Sequence, residues 1–230
     1  LTYTGTSGKA LHIYRSGGTG TGNIKSVAGL LLENFDCVAD VAGVAYQIGK
    51  DDGSDVFESC EFIRHRIINL NSSGNANAIT QRIVGMNTSL WTTPIFNGKP
   101  ATSSYAGAGV ALELAMVTST VFDAPSPSNA NTAIRYTNLG NSALGFTHGN
   151  TFNSPDIENV QNAVIGESGP YAWENYRGGN CHLVYPGGYV ATSKAGFYGS
   201  GIPSAALTFE CPAYPFSVHP TYSGGVRLLV

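Results

Sequence analysis

Short apolar runs alternate with polar bends along most of this chain, and the alternation keeps returning to one phrase. Aligned on a phenylalanine, GLLLENFDCVADVAGVAYQIG over 29–49 centres on Phe35 and VFESCEFIRHRIINL over 56–70 on Phe62. MVTSTVFDAPSPSNANTAIRYT over 116–137 centres on Phe122, and FTHGNTFNSPDIENVQNAVIGES over 146–168 on Phe152. Each copy has an alternating apolar run, a polar residue or two, the Phe, a turn-like segment and a second apolar run. The phenylalanines stand 27, 60 and 30 residues apart. The middle interval is about two periods, and its irregular stretch ITQRIVGMNTSLWTTPIFNG is expected to hide or interrupt one copy. The runs are too short and too β-branched for helices. Gly, Pro, Asn and Ser interrupt them throughout, and no apolar stripe of helical period is present.

A period of this length lies in the range of stacked repeats. About three short strands per period predict one turn of a parallel β-coil per repeat. A single coil cannot bury its inner face alone, so the coils stack and like residues fall into columns. Phe35, Phe62, Phe122 and Phe152 are expected to form one interior aromatic stack. Chance is the competing account, since four loose matches to a common residue can be found by looking. After Ser168 the phrase is absent. Residues 169–230 hold most of the Pro–Gly–Tyr punctuation, as in GPYAWENYRGG and YPGGY, and predict a separate β-rich cap or sandwich. A solenoid needs such a cap to cover its last open edge.

Composition sharpens this picture. Hydrophobic residues make up 42% of the 230, enough for a core, whereas charged residues are only 12%, so Asn, Ser, Thr and Gly must cover the surface. The 29 glycines fit a fold with many tight bends. Net charge is −3 with no basic stripe, which argues against nucleic acid as a partner. No apolar run is long enough to span a bilayer as a helix, so no membrane insertion is expected. LTYTGTSGKALHIY has neither a signal-peptide charge pattern nor an initiator Met, and the chain is expected to begin inside a longer protein. Cys37, Cys60, Cys181 and Cys211 lie far apart with no Cys-x-x-Cys pair. They read as free, mostly buried thiols made in a reducing cytoplasm, and not as a zinc site.

The phrases ENFDC, SCEFI and GNTFN, each followed by an apolar strand such as GVAYQI, RIINL or NAVIG, resemble right-handed parallel β-helices of the pectin-lyase type. The resemblance covers roughly residues 8–168. Low charge, abundant Gly, Asn, Ser and Thr, and the lead-in GKALHIY are similar to bacteriophage tailspikes and tail fibres. The fold class expected is therefore all-β: a right-handed parallel β-helix over 1–168 with a C-terminal β-rich cap over 169–230. What the resemblance implies is a virion attachment protein, made in the bacterial cytoplasm, that recognises host surface polysaccharide and in many members cleaves it. Its partners would be the host surface glycan, two further copies in a homotrimer, and other virion tail proteins. In such spikes the C-terminal part often holds the three chains together or contacts glycan. A non-enzymatic receptor-binding or structural segment of a fibre is the alternative.

Candidate chemistry starts with carboxylates, because glycan hydrolysis uses two of them at a set separation. Glu33, Asp36, Glu58 and Glu61 all lie within four residues of Phe35 or Phe62, so adjacent coils would gather them near one bend. Glu58 and Glu61 are the leading pair, with Glu33 and Asp36 as rivals. The plainer alternative is a solvated acidic edge with Arg64 or Arg66 as partner. Asp51, Asp52 and Asp55 in KDDGSD resemble a calcium loop only in part and read as an exposed turn. No histidine pair has the spacing of a helical zinc site, so no metal and no cofactor is expected. Sugar rings stack on aromatic faces while short polar side chains take the hydroxyls, which makes Trp91, Trp173 and Tyr176 candidate substrate contacts, together with Arg64. Trp173 and Tyr176 would equally serve a cap core or a subunit interface.

Overall fold

Three-residue strands with the pattern out–in–out recur once per turn, and they organise everything else. The computed structural model describes residues 2–5, 8–15, 25–98, 109–137, 139, 147 and 149–166, and the strand segments 174–177, 180–185, 189–192, 196–199, 206–210, 217–218 and 225–229. Those short strands form the first ladder: Leu31–Glu33, Glu61–Ile63, Leu90–Thr92, Val121–Asp123 and Thr151–Asn153. Glu174–Arg177, Ala206–Glu210 and Gly225–Leu229 extend it. Every step is parallel. The middle residue of each of the five three-residue strands faces the lumen, because side chains alternate and the flanking positions carry polar or half-exposed residues.

Each short strand ends at a residue in the left-handed region: Asn34, Arg64, Thr93, Ala124 and Ser154, with φ between 45° and 53°. That conformation is costly for L-residues. Here the turned amide donates to the carbonyl of the next rung, as in Asn34 N–H to Ile63 O at 2.9 Å and Thr93 N–H to Asp123 O at 2.8 Å. The bend thus preserves inter-rung pairing while redirecting the chain. A second ladder follows, built from Asp36–Val41, Arg66–Asn69, Ile95–Asn97 and the first halves of Ser126–Tyr136 and Asp156–Gly166. A third runs through Lys9–Ile13, Val44–Ile48, the first halves of Ile79–Asn87 and Val110–Thr118, and the second half of Ser126–Tyr136. A short fourth ladder joins Lys25–Ala28, Asp55–Glu58 and the ends of Ile79–Asn87 and Val110–Thr118. The chain then turns back into the first ladder one rung on. The molecule is an all-β parallel β-helix of about four turns, and no helix occurs among the described residues.

A polar spine fixes the turn between the fourth and first ladders. Cys60 Sγ, Ser89 Oγ and Thr120 Oγ1 each donate to the carbonyl two residues back, at 3.3, 2.9 and 3.1 Å. Cys60 N–H donates to Ser89 Oγ and Thr120 N–H to Asn150 Oδ1, so the Cys60 and Thr120 rungs are each stitched to the next. After the third ladder, Gly49 adopts φ +81°, and a Cβ there would lie 1.9 Å from Val84 O. Only glycine lets the rungs close at that point.

The interior aromatic stack exists, with one change of membership. Leu32, Phe62, Trp91, Phe122 and Phe152 share one register position in the first ladder. Phe62 and Trp91 stack at 4.2 Å and Phe122 and Phe152 at 4.7 Å between ring centroids. The hidden copy in the long interval is therefore the Trp91 rung. Phe35 is not part of this stack. It follows the bend, in register with His65, and packs against Tyr46 at 5.3 Å. Aligning on phenylalanine shifted the first copy by three residues, since Leu32 and Phe35 both face inward on opposite sides of the bend.

The first ladder has strands on both sides of residue 168. Tyr176 continues the register of Phe152, and Phe209 and Leu228 follow it. One antiparallel pair, Asn180–Tyr185 with Tyr189–Thr192, departs from the parallel scheme. Cys37 and Cys60 are buried free thiols, as expected.

Candidate functional site

Outward-facing positions of the first two ladders form columns one rung apart, about 4.8 Å per step. Leu31, Glu61, Leu90, Val121 and Thr151 make the first column; Glu33, Ile63, Thr92, Asp123 and Asn153 make the second. Beyond the bend, Asp36, Arg66, Ile95, Ser126 and Asp156 make a third. Leu31 is 53% exposed, Ile95 37% and Leu90 36%, so aliphatic side chains stand at the surface among carboxylates, hydroxyls and a guanidinium.

The four candidate acids do not converge at one bend. Glu61 is opposite Leu31, so Glu33 and Glu61 sit diagonally, about 8 Å apart at Cα from strand geometry. Glu58 lies on the fourth ladder beside Asn87, on the far side of the turn at Ser59 and Cys60. Asp36 lies past the other bend and is held by Arg66 in a two-pronged pair, Nε to Oδ1 and Nη2 to Oδ2, both 2.7 Å. Those hydrogen bonds hold the Asp36 carboxyl below its ordinary 3.8, which removes it as a proton donor near neutral pH. The alternative of an acidic edge partnered by Arg66 thus describes Asp36 correctly. Arg64, the other expected partner, donates through Nε to Asn34 Oδ1 at 2.6 Å.

Trp91 is overturned as a ligand contact. Its side chain is fully buried between Phe62 and Phe122, and Nε1–H points at Met86 Sδ at 3.3 Å. The stretch that carries it is a regular rung, so the indole fills the lumen and cannot meet an external ring. Tyr176 holds the corresponding register position two rungs beyond Phe122. Trp173 lies outside the described residues.

KDDGSD is a turn: Gly53 N–H donates to Lys50 O, and Ser54 N–H to Asp52 Oδ1 at 2.9 Å. Asp55 pairs with Lys50 at 3.3 Å and accepts from Arg15 N–H at 2.8 Å. No group of three metal-ligating side chains occurs among the described residues.

Pattern reading missed a chain of ion pairs across the third ladder. His12, Gln47, Arg82, Glu113 and Arg135 share one register position. Glu113 is 1% exposed and accepts from Arg82 Nε at 2.5 Å and from Arg135 Nε at 2.6 Å. Asp51 accepts from Lys9 at 2.7 Å and Gln47 at 2.6 Å. Burial works against the Asp51 carboxylate, but those two bonds and the charges of Lys9 and Arg82 together hold its carboxyl below the ordinary 3.8. The signal in the sequence was a single charged residue in each of Ile79–Asn87, Val110–Thr118 and Ser126–Tyr136.

Compared with known proteins, the chain matches no family model, no curated protein and no solved structure.

Proposed function

We propose that this chain is a tailspike-like attachment segment of a bacteriophage virion that holds host cell-surface polysaccharide along the outer face of its first two ladders. One observation carries the reading: Leu31, Leu90 and Ile95 stand exposed in the same columns as Glu61, Asp36 and Arg66. Pyranose rings present an apolar C–H face and a rim of hydroxyls, and a surface that alternates aliphatic with charged side chains offers a partner for each. A polymer of repeating sugars also suits columns that repeat at every rung. The tailspike resemblance further implies a homotrimer that joins other virion tail proteins.

Binding without cleavage fits the acids better. A retaining pair needs carboxyls about 5–5.5 Å apart. Asp36 is tied to Arg66 and Glu58 is a turn away, which leaves only the diagonal Glu33 and Glu61 of the four acids on one outer face. The test is a glycan array of capsular polysaccharides and lipopolysaccharides, with reducing-end release measured on every binder. Expected is binding weakened at least about tenfold by Leu90→Asp, without release of reducing ends. Release abolished by Glu33→Gln and Glu61→Gln would instead establish cleavage. Absence of binding across the array, or binding indifferent to Leu90→Asp, would overturn the proposed face.

A further inference from the structure

The interior of the β-helix is largely apolar, but buried polar side chains interrupt it, and Asn69, Ser89, Thr120 and Asn150 find hydrogen-bond partners in the protein. In the inner column of the third ladder, Leu11, Tyr46, Gln81, Leu112 and Ile134 are in register, and Gln81 is an amide among hydrocarbon and a phenol. In the column just after the bend, His65 stands in register with Phe35. Tyr46, His65 and Gln81 are each fully buried. Tyr46 Oη, His65 Nδ1 and Gln81 Oε1 have no hydrogen-bond partner in the protein. Leaving such atoms unpaired costs about 1–3 kcal/mol each, so three in one region demand an account.

Their protonation is determined by their other contacts. His65 Nε2 lies 3.1 Å from Leu32 O, and a carbonyl only accepts, so Nε2 carries the proton and Nδ1 is a bare acceptor. Burial lowers the His65 pKa, which keeps the ring neutral. Gln81 Nε2 donates to Arg82 O at 3.0 Å, so its Oε1 is the second acceptor. Burial pushes the Tyr46 phenol above its ordinary 10, so it remains a neutral O–H donor. The set is thus one donor and two acceptors. These groups cannot all satisfy one another, since one O–H cannot serve both acceptors fully. A water molecule has the complementary set: two O–H donors and lone pairs to accept.

The groups are neighbours. The Tyr46 and His65 rings lie 6.5 Å apart between centroids, with the Phe35 ring 5.3 Å from each. Tyr46 and Gln81 are one rung apart in the same column.

We propose that the lumen holds a single structural water between the first two rungs, accepting from Tyr46 Oη–H and donating to His65 Nδ1 and Gln81 Oε1. Three bonds is the usual number for a buried water. The site is independent of whatever binds the outer face, because all three side chains are sealed inside.

A high-resolution crystal structure of the whole chain tests this directly. The expected result is one spherical density peak within hydrogen-bond reach of all three atoms. An empty lumen there, or the three groups closing on one another directly, would overturn it. A solution test uses Tyr46→Phe, Gln81→Met and the double variant, read as urea midpoints. Both substitutions remove a partner of the same water, so the double variant should lose clearly less than the sum of the two shifts. Strictly additive shifts would count against a shared molecule. If the Gln81 variant does not fold, the crystal structure of Tyr46→Phe decides: the peak should weaken or leave, and an unchanged peak that keeps its distance from the ring would sink the assignment.

Discussion

Single residues in this chain do two jobs that ordinary sequence scoring treats as faults: non-glycine residues with positive φ, and polar groups in a hydrocarbon lumen. The five bends after the first ladder are occupied by Asn34, Arg64, Thr93, Ala124 and Ser154. The inter-rung hydrogen bonds from the Asn34, Arg64, Thr93 and Ala124 amides offset the backbone strain. Gly49 is different, because a carbonyl occupies the place of its Cβ. Gly49→Ala is expected to lower stability by about 1–3 kcal/mol or to prevent folding, measured by urea unfolding. His65 sets a pH dependence. Its folded pKa lies below the ordinary 6.5, so on acidification the unfolded chain takes the proton first. The contribution of neutral His65 is complete above about 6.5 and is lost as pH falls from there towards the folded pKa. His12 shifts the same way, for the same leading cause, burial. The urea midpoint should therefore be lower at about pH 5.5 than at about pH 7.5, and His65→Leu should flatten part of that slope. An unchanged slope in that variant would remove His65 from the account.

Elements are held by columns, and each column has a weak point that can be tested. Trp91 bridges Phe62 and Phe122 in the first ladder. Trp91→Ala opens a cavity at the centre of the stack and should cost about 3–5 kcal/mol. Trp91→Phe keeps an aromatic in the column and should cost markedly less. Equal losses for the two would show that the column does not depend on ring contact. On the third ladder, Glu113 is the shared acceptor of Arg82 and Arg135. Glu113→Leu removes the carboxylate that two largely buried guanidinium groups share, although Arg82 keeps Asp51 at 3.6 Å, and should cost about 3 kcal/mol. By contrast, Asp36→Asn breaks a pair that is half in solvent, and its midpoint should barely move. The candidate acids and the ion-pair chain thus behave oppositely although both are carboxylate–arginine contacts.

The whole molecule is close to one-dimensional, because each rung pairs only with its neighbours. Damage should therefore spread along the axis by proximity. In Trp91→Ala, amide exchange should rise first in 61–63, 90–92 and 121–123, and later in 151–153. A uniform loss of protection would mean that the coil unfolds as a single block.

Periodicity reached the fold but not its details. The coil was legible because the first ladder places one large ring inward per turn, at Phe62, Trp91, Phe122 and Phe152, and because Gly, Asn and Ser mark the turns. Phe35 was misplaced because a bend of left-handed backbone puts inward residues three apart on its two sides. Trp91 was read as a ligand contact because its rung was aligned on phenylalanine alone.

The chain by itself determined that strands would stack in parallel, since a repeating apolar phrase too short for a helix can bury its inner face only against its own neighbours. It could not determine which distant residues meet. The corner between the second and third ladders takes two residues at Ala42 and Gly43 and nine at 70–78. Such changes alter sequence spacing without altering register. That is why Arg82, Glu113 and Arg135 share one column at intervals of 31 and 22 residues. It is also why only the folded backbone could set Gln81 one rung from Tyr46 and the His65 ring 6.5 Å from the Tyr46 ring.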